Sequence, residues 1–249
     1  MAAEALIRWQ HPTYGMISPA EFIPLAEQSG ATRGMTRWVI KEAVRRMRSW
    51  RLAGFDIGLS VNISALDLDD PDLVGFVGHS LEAEGIAGGR LTLEVTESAI
   101  MTDPDRSRAV LEGLRQSGVT ISVDDFGTGY SSLAHLKRLP VQELKIDQSF
   151  IRDLSAASED AVIVRSTIGM SHNLGLSVVA EGVESEEILT LLGSWGCDVA
   201  QGYAIARPMD AADFERWAGH RMAAAREQVA AADLTRVRTV PGDQAPQPG

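Results

Sequence analysis

Hydrophobic and polar residues alternate along seven short segments of the chain, and each segment has the length and composition of a β-strand. The predicted strands are EALIRW (4–9), GLSVNIS (58–64), LTLEVTES (91–98), TISVDDF (120–126), ELKIDQSF (143–150), SVVAEGVE (177–184) and AQGYAIA (200–206). The longer stretches between them repeat apolar residues at helical spacing. Strands that alternate with helices are typical of a parallel sheet with crossover helices.

Prolines and one apolar stripe mark the predicted helices. Pro19 is expected in the first turn of a helix that runs to about Ser29, and Pro71 and Pro104 open two further helices. The segment MTRWVIKEAVRRMRSWR predicts a helix with one buried stripe, formed by Trp38, Val39, Ala43, Val44 and Met47.

Polar side chains keep to one face of the predicted strands, because alternate residues of a strand point to opposite faces. Listed strand by strand, the residues on that face are Glu4, Leu6 and Arg8; Ser60, Asn62 and Ser64; Thr92, Glu94 and Thr96; Ser122 and Asp124; Glu143, Lys145 and Asp147; and Ser177, Val179 and Glu181. In a (β/α) barrel, polar groups near the carboxyl ends of the strands line the active-site mouth, whereas a structural lumen is filled by branched apolar residues. The pattern therefore predicts an α/β barrel with a functional mouth.

Composition narrows the class of protein. The chain has 249 residues, of which 45% are hydrophobic, and a net charge of -11, which argues against a nucleic acid polymer as partner. Its single cysteine, Cys197, excludes an internal disulfide and a cysteine-based zinc site. No apolar run approaches the roughly 20 residues of a membrane span, and the start lacks signal-peptide features, so we expect a cytoplasmic location.

We expect one barrel domain over residues 1–220. Residues 221–249 end in a stretch of proline, glycine and polar residues without a core-forming pattern. This composition predicts a frayed helix followed by a disordered tail.

The carboxylates predicted to share the barrel mouth indicate bound cations. Five acidic residues face or border that space: Glu4, Glu94, Asp124, Asp125 and Glu181. They would repel one another severely if all were ionised in a partly dry cleft. Lys145 and Arg8 supply two positive charges, and two Mg²⁺ or Mn²⁺ ions with oxygen ligands would supply the rest, with the amide oxygen of Asn62 as a further ligand. Paired metal ions are a recurrent device for phosphodiester hydrolysis.

Two structural interpretations compete with the metal site. Asp124 and Asp125 precede a glycine, and the pair on its own is also consistent with a turn and an N-cap. Glu94 and Lys145 are also consistent with a structural ion pair inside a barrel.

The chain resembles the EAL domain family of cyclic di-GMP phosphodiesterases. The resemblance covers roughly residues 3–210 and rests on eight motifs in the family's order, namely EALIRW, HPTYGMISPAEFIPLAEQSG, VNIS, LEVTES, DDFGTGYSSL, LPVQELKIDQSFI, VVAEGVES and GCDVAQGYAIARPM. It implies a modified TIM barrel whose first strand runs antiparallel to the others. The sequence starts three residues before Glu4, so we expect the barrel to lack that first strand.

The resemblance implies a role for each matching residue. Glu4, Asn62, Glu94 and Asp124 would hold one metal ion, Asp124 would bridge to a second ion that Asp125 also binds, and Glu181 would complete the cluster. Lys145 would help to deprotonate the attacking water, Gln201 would orient the reacting centre, and Glu184 would steady the Gly-Thr-Gly loop after Asp125. Arg8, Leu6 and Asp147 would contact the substrate.

The implied reaction is hydrolysis of cyclic di-GMP to linear pGpG by water that two metal ions activate. The resemblance also implies a homodimer, attached in the natural protein to an upstream sensory or GGDEF domain. Two alternatives stay open: a catalytically silent cyclic di-GMP receptor and a regulatory interaction module.

Overall fold

The computed structural model describes residues 1–127 and 136–223, and a parallel sheet forms its framework. The strands are β1 (Ala2–Glu4), β2 (Trp9–His11), β3 (Gly15–Ile17), β4 (Gly58–Ile63), β5 (Leu91–Thr96), β6 (Thr120–Phe126), β7 (Glu143–Ile146), β8 (Ser177–Ala180) and β9 (Val199–Ala200). β2 and β3 pair as an antiparallel hairpin. The other seven form one sheet in the order β1-β4-β5-β6-β7-β8-β9, and each neighbouring pair is parallel.

Helices connect the strands of this sheet. They are α1 (Pro19–Ser29), α2 (Thr32–Leu52), α3 (Ala65–Leu68), α4 (Leu73–Glu84), α5 (Glu97–Thr102), α6 (Pro104–Gln116), α7 (Glu159–Asn173) and α8 (Glu186–Ser194), followed by α9 over 211–223. In this sheet each new strand lies on the same side of the strand before it. Right-handed crossovers therefore place all of the connecting helices on one face of the sheet. The sheet curls away from them, as in a TIM barrel. This confirms the predicted fold class, with β1 and β9 at the two edges of the sheet.

The two faces of the strands differ as the alternation predicts. The apolar set is buried and includes Leu93, Val95, Ile121, Val123, Leu144 and Val178. The opposite set is polar, and Glu94, Ser122, Asp124 and Lys145 are buried as well. Buried polar groups need partners, so this face of the sheet is where a site is expected.

The first predicted strand is wrong in its extent. β1 ends at Glu4, residues 5–8 connect it to the β2–β3 hairpin, and the alternation did not reveal that hairpin. Its turn is built by His11, whose Nδ1 accepts from the backbone N–H groups of Thr13 (3.1 Å) and Tyr14 (3.2 Å). Gly15 closes the turn at φ 72°, a conformation that glycine adopts without steric penalty.

Five other strands end earlier than predicted: β4 at Ile63, β5 at Thr96, β7 at Ile146, β8 at Ala180 and β9 at Ala200. At the ends of β4, β5 and β7, polar residues that cap the next element fall on the polar face, namely Ser64, Thr96 and Asp147. Thr96 ends β5 and accepts from the backbone N–H of Ala99 (3.3 Å) at the start of α5. Asp147 follows β7 and caps the short turn Gln148–Phe150. β8 ends at Ala180, directly before Glu181. A period-two pattern cannot distinguish such a cap from one more strand residue.

The predicted apolar stripe of α2 is correct at Ala43, Val44 and Met47, but Val39 is only half-buried and Trp38 is exposed. Ala43, Val44 and Met47 are buried together with Ile40, whereas Trp38 is 59% exposed. Residues two positions apart on a helix lie about 200° apart around its axis. Trp38 therefore lies opposite Ile40, and Thr36 takes the buried position one turn earlier.

The described residues fall into two units, Met1–Arg207 and the residues from 208 to 223. In the second unit, the backbone N–H of Asp213 donates to Asp210 Oδ1 (2.8 Å) at the start of α9. The ring centroids of Phe214 and Trp217 lie 5.7 Å apart on that helix. The predicted tail from residue 224 onward lies outside the described residues. None of the described helices is long and apolar enough to cross a bilayer.

Candidate active site

The polar residues predicted to share a mouth lie at one rim of the sheet. Glu4 is the last residue of β1, Asn62 lies near the end of β4, and Asp124 near the end of β6. Glu181 and Gln201 directly follow β8 and β9. Because the strands are parallel, their carboxyl ends meet at the same edge. The strand order thus brings together residues that are far apart in the sequence.

Lys145 is the centre of the charged cluster. Its side chain is 1% exposed, and Nζ lies 2.6 Å from Glu181 Oε1, 2.9 Å from Glu94 Oε2 and 3.3 Å from Asp124 Oδ1. Burial on its own would lower the pKa of this ammonium, but the negative charges of Glu94, Glu181 and Asp124 outweigh burial and raise it. Lys145 is therefore protonated at neutral pH.

Glu94 and Glu181 bind protons far more readily than ordinary glutamates. Burial raises the pKa of each carboxyl from an ordinary value of 4.5 to about 7, against the attraction of Lys145. Repulsion adds to the effect, from Glu4 at Glu94 and from Asp124 and Glu4 at Glu181. A single ammonium does not neutralise the carboxylates around it, so the cluster is short of positive charge.

A β-bulge brings Asp124 and Asp125 to the same side. The pairing of β6 with β7 shifts between Val123 and Phe126, and Asp125 adopts a left-handed backbone at φ 54°. Adjacent residues of a regular strand point to opposite faces, and a bulge re-aims one of them. Carboxylate oxygens of Asp124, Asp125 and Glu181 accordingly lie within 4.8 Å of one another.

The crowding of negative charge affects the carboxyl of Asp125. Burial raises the pKa of its carboxyl, and the negative charges of Asp124 and Asp147 raise it further. Its backbone N–H donates to Asp124 Oδ1 (3.0 Å), which ties the two acidic residues together. A cation between them would relieve the repulsion.

Glu4 joins the two edges of the sheet. Its Oε1 accepts from Asn62 Nδ2 (2.7 Å), and its Oε2 accepts from Gln201 Nε2 (2.6 Å). Because the amide nitrogen of Asn62 is engaged by Glu4, its amide oxygen is the atom that can act as a ligand.

The donor set fits hard divalent cations. The carboxylates of Glu94, Asp124 and Glu181 contact one buried ammonium, those of Glu4 and Asp125 are close enough to interact with its charge, and all of the candidate ligand atoms are oxygen. Oxygen-only donor sets with excess negative charge suit Mg²⁺ and Mn²⁺ rather than soft transition metals. These residues therefore fit the metal ions that the sequence predicts.

The profile of the EAL domain family matches residues 1–208. The chain belongs to this family. It is 47% identical over 212 residues to a Pseudomonas aeruginosa protein named bifunctional diguanylate cyclase/cyclic di-GMP phosphodiesterase MucR, covering 85% of this chain and 31% of the relative. It is 46% identical to the cyclic di-GMP phosphodiesterase NbdA of the same organism, covering 86% of this chain and 28% of that relative. The EAL domain thus spans about a third of the length of these curated relatives.

Solved structures of relatives share the fold of this EAL domain. The PaMucR phosphodiesterase in its c-di-GMP complex superposes with a TM-score of 0.80 at 47% identity, over 85% of this chain and 86% of that one. The FimX EAL domain from Pseudomonas aeruginosa bound to c-di-GMP gives 0.75 at 28% identity, over 82% of each chain.

The structure gives the exposure or the contacts of four further predicted site residues of the EAL domain. Leu6 is 42% exposed, and Arg8 is exposed with Nη1 donating to the carbonyl oxygen of Ile7 (2.9 Å). Asp147 accepts from Ser149 at the start of the turn Gln148–Phe150. Glu184 Oε1 lies 3.6 Å from Arg152 Nε. The loop that Glu184 was predicted to steady continues from Thr128, outside the described residues.

The alternation of polar and apolar residues does not reveal the turn Gln148–Phe150, because it extends the predicted strand to Phe150. Glycines come shortly after two of the predicted ligands. Gly182 directly follows Glu181, and Gly127 lies two residues after Asp125. Such glycines signal a close approach by another segment. The sequence does not tell which segment approaches them.

Proposed function

We propose that this chain is a metal-dependent phosphodiesterase that hydrolyses cyclic di-GMP to linear pGpG. The observation that carries the proposal is the set of carboxylates of Asp124, Asp125 and Glu181, whose oxygens lie within 4.8 Å of one another beside buried Lys145. The names and titles of the relatives state that they hydrolyse or bind this dinucleotide. Membership of their family, together with an acidic mouth that suits metal ions, supports the same substrate here.

The carboxylates divide into two overlapping ligand sets. Glu4, Asn62, Glu94 and Asp124 would hold one ion, Asp124 and Asp125 would hold a second, and Glu181 would complete the cluster. When bound, two Mg²⁺ or Mn²⁺ ions would lower the pKa of water toward neutrality and neutralise charge on the phosphoryl oxygens. The bulge at Asp125 supports this division, because it presents two adjacent carboxylates to one space.

Lys145 acts as a fixed positive charge in this proposal. As an ammonium it has no lone pair with which to take a proton. It helps to deprotonate the attacking water electrostatically, because a neighbouring cation favours the anionic form of an oxygen nucleophile. Its contacts with Glu94, Asp124 and Glu181 hold it where the ligands converge.

The remaining residues bind and orient. Gln201 would orient the reacting centre, and its bond to Glu4 supports a place beside the ligands. Arg8 would contact a substrate phosphate, for which its exposed guanidinium is suited. Leu6 and Asp147 would complete the substrate contacts, and Glu184 would steady the loop after Asp125.

The test is an incubation of the purified chain with cyclic di-GMP and Mg²⁺ or Mn²⁺, with EDTA as control, in which pGpG is followed by chromatography. Metal-dependent pGpG is expected from the unchanged chain and from Asp153→Asn, since Asp153 is exposed and is not one of the proposed ligands. Asp125→Asn is expected to lose activity. A folded chain that binds cyclic di-GMP without forming pGpG would instead establish the silent receptor.

We further propose that the chain works as a homodimer, attached to a sensory or GGDEF domain. The much greater length of the relatives supports the attachment, since this chain covers only 31% and 28% of them. Light scattering after size-exclusion chromatography would measure the mass of the assembly, and a monomer at micromolar concentration would count against the dimer.

A further inference from the structure

The turn Gln148–Phe150 lies beyond the strand that carries Lys145, and local contacts fix it at both ends. Asp147 Oδ1 accepts from the backbone N–H of Ser149 (3.0 Å) and from its hydroxyl (2.5 Å). The backbone N–H of Ile151, a fully buried residue, donates to the carbonyl oxygen of Gln148 (3.1 Å). The turn is thus a rigid support rather than a loose connection.

Gly182 contacts this turn directly after Glu181. It adopts φ 69°, and a methyl group added to it would lie 2.5 Å from Gln148 Cβ and 3.2 Å from Gln148 Cα. Carbon atoms do not approach so closely without displacement. The backbone of Glu181 is also held by its N–H, which donates to the carbonyl oxygen of Ile146 (3.1 Å). Glu181 therefore has a position that the turn helps to define.

Gly127 makes the equivalent approach two residues after Asp125. It adopts φ 102°, and a methyl group there would lie 2.9 Å from Cε2 of Phe150. The same three-residue turn thus contacts the chain just beyond Asp125 and just beyond Glu181. These are two of the three residues whose carboxylate oxygens lie within 4.8 Å of one another.

The turn also connects to Glu184. Arg152 Nη2 donates to Gln148 Oε1 (3.1 Å), and its Nε lies 3.6 Å from Glu184 Oε1. Gln148 is therefore held by its side chain as well as by its backbone.

We propose that Gln148 and Phe150 are positioning residues, which set the spacing of the Glu181 and Asp125 carboxylates through their contacts with Gly182 and Gly127. The inference rests on the metal site of the proposed function. Both residues act through the backbone next to a ligand, so their effect is on the geometry of the ligand set. Supporting groups of this kind typically change metal affinity about 10- to 100-fold.

The first test compares Gly182→Ala with Gly175→Ala in the full chain. Gly175 has a similar positive φ of 76°, but no atom lies within 4 Å of the position that a Cβ would take, so alanine there adds backbone strain without a new contact. Mn²⁺ affinity is measured from the electron paramagnetic resonance signal of free Mn²⁺. We expect Gly182→Ala to weaken Mn²⁺ binding about 10-fold or more and Gly175→Ala to leave it within about twofold.

Removing the opposing carbon should reverse part of the effect. Gln148→Gly in the Gly182→Ala background deletes the Cβ that the new methyl group would meet and leaves the approach to Cα at 3.2 Å. The methyl group then takes the place of that Cβ as the contact between the two segments, and we expect part of the Mn²⁺ affinity to return. Such recovery is a coupling between the two positions that a general loss of stability does not produce.

A folded Gly182→Ala chain that binds Mn²⁺ as tightly as Gly175→Ala would overturn the inference. Should Gly182→Ala not fold, Phe150→Leu decides: weaker Mn²⁺ binding supports the inference, and unchanged binding overturns it.

These readouts do not depend on hydrolysis. If the unchanged chain binds Mn²⁺ and the variants differ as expected, but no pGpG forms, the proposed function fails and the inference stands. Absence of Mn²⁺ binding by the unchanged chain would overturn both.

Discussion

Gln201 Nε2 donates to Glu4 Oε2 at 2.6 Å, and this bond joins side chains from the two edges of the sheet. β1 and β9 are not paired with each other, so their relation at the rim depends on side chains. Glu4 also accepts from Asn62, which means that one carboxylate spans the open side of the barrel. The proposed first ligand is thus oriented by the last strand.

Removing this bond should loosen the metal site while leaving the fold intact. We expect Gln201→Ala to weaken Mn²⁺ binding about 10-fold because Glu4 loses the partner that orients it. Half-buried Gln201 contributes little to the core, so the melting temperature of the metal-free chain should change by only a few degrees. Calorimetric titration and thermal melts measure the two effects. An unchanged affinity would show that Asn62 alone orients Glu4.

Lys145→Ala should abolish turnover and leave the nucleotide bound. Its removal leaves three carboxylates with an uncompensated buried charge, so the metal-free chain should lose about 3–5 kcal/mol of stability. Mn²⁺ should then raise the melting temperature more in Lys145→Ala than in the unchanged chain, since it supplies the missing positive charge. Exposed Lys137→Ala is the control. Equal hydrolysis rates for Lys145→Ala and Lys137→Ala would refute the role assigned to Lys145.

The raised pKa values of Glu94 and Glu181 predict how pH acts on the chain. Between the ordinary glutamate value of 4.5 and about 7, the folded metal-free chain binds more protons than the unfolded chain. Its stability should therefore fall as pH rises through this window. Denaturant titrations at pH 5 and pH 7.5, with EDTA present, test the sign, and a metal-free chain that is more stable at pH 7.5 would contradict it.

Metal affinity should respond to pH in the opposite direction. Bound ions must displace the protons of Glu94 and Glu181, so Mn²⁺ binding should strengthen as pH rises toward 7 and above and should release protons. Calorimetry in buffers of different ionisation enthalpy counts those protons.

Gly202 is the most constrained glycine at the rim. A methyl group there would overlap the backbone nitrogen and carbonyl oxygen of Val183, whose N–H donates to the carbonyl oxygen of Gln201 (3.0 Å). Gly202→Ala should therefore destabilise the chain by about 1–3 kcal/mol. Gly196→Ala, at φ 81° in open space, serves as the matched control. Equal losses in the two variants would mean that the backbone near Val183 can yield.

The convergence of Asp124, Lys145 and Glu181 follows from the sequence, because period-two alternation fixes the face of a strand and parallel order fixes the rim. The length of the first strand does not follow from the sequence. The strand ends at Glu4, and the hairpin that comes after it depends on a turn held by one nitrogen of His11. The contact of Gln201 with Glu4 was also not predicted. It depends on how far the sheet curls, and that is a property of the whole barrel rather than of any segment.

The backbone and the carboxyl of Asp125 both act against the stability of the metal-free chain. A non-glycine residue with a left-handed backbone costs about 1 kcal/mol or more of folding free energy. Asp125 has such a backbone, and the negative charge of Asp124 adds repulsion at its carboxyl. Glycine at position 125 would relieve both the backbone strain and the charge repulsion, and asparagine would relieve the repulsion alone. Chemical denaturation of the metal-free variants should therefore show a gain in stability that is larger for glycine. The stability of the metal-free barrel and the proposed metal site thus make opposite demands on position 125, because a residue that stabilises the barrel there removes one of the proposed ligands.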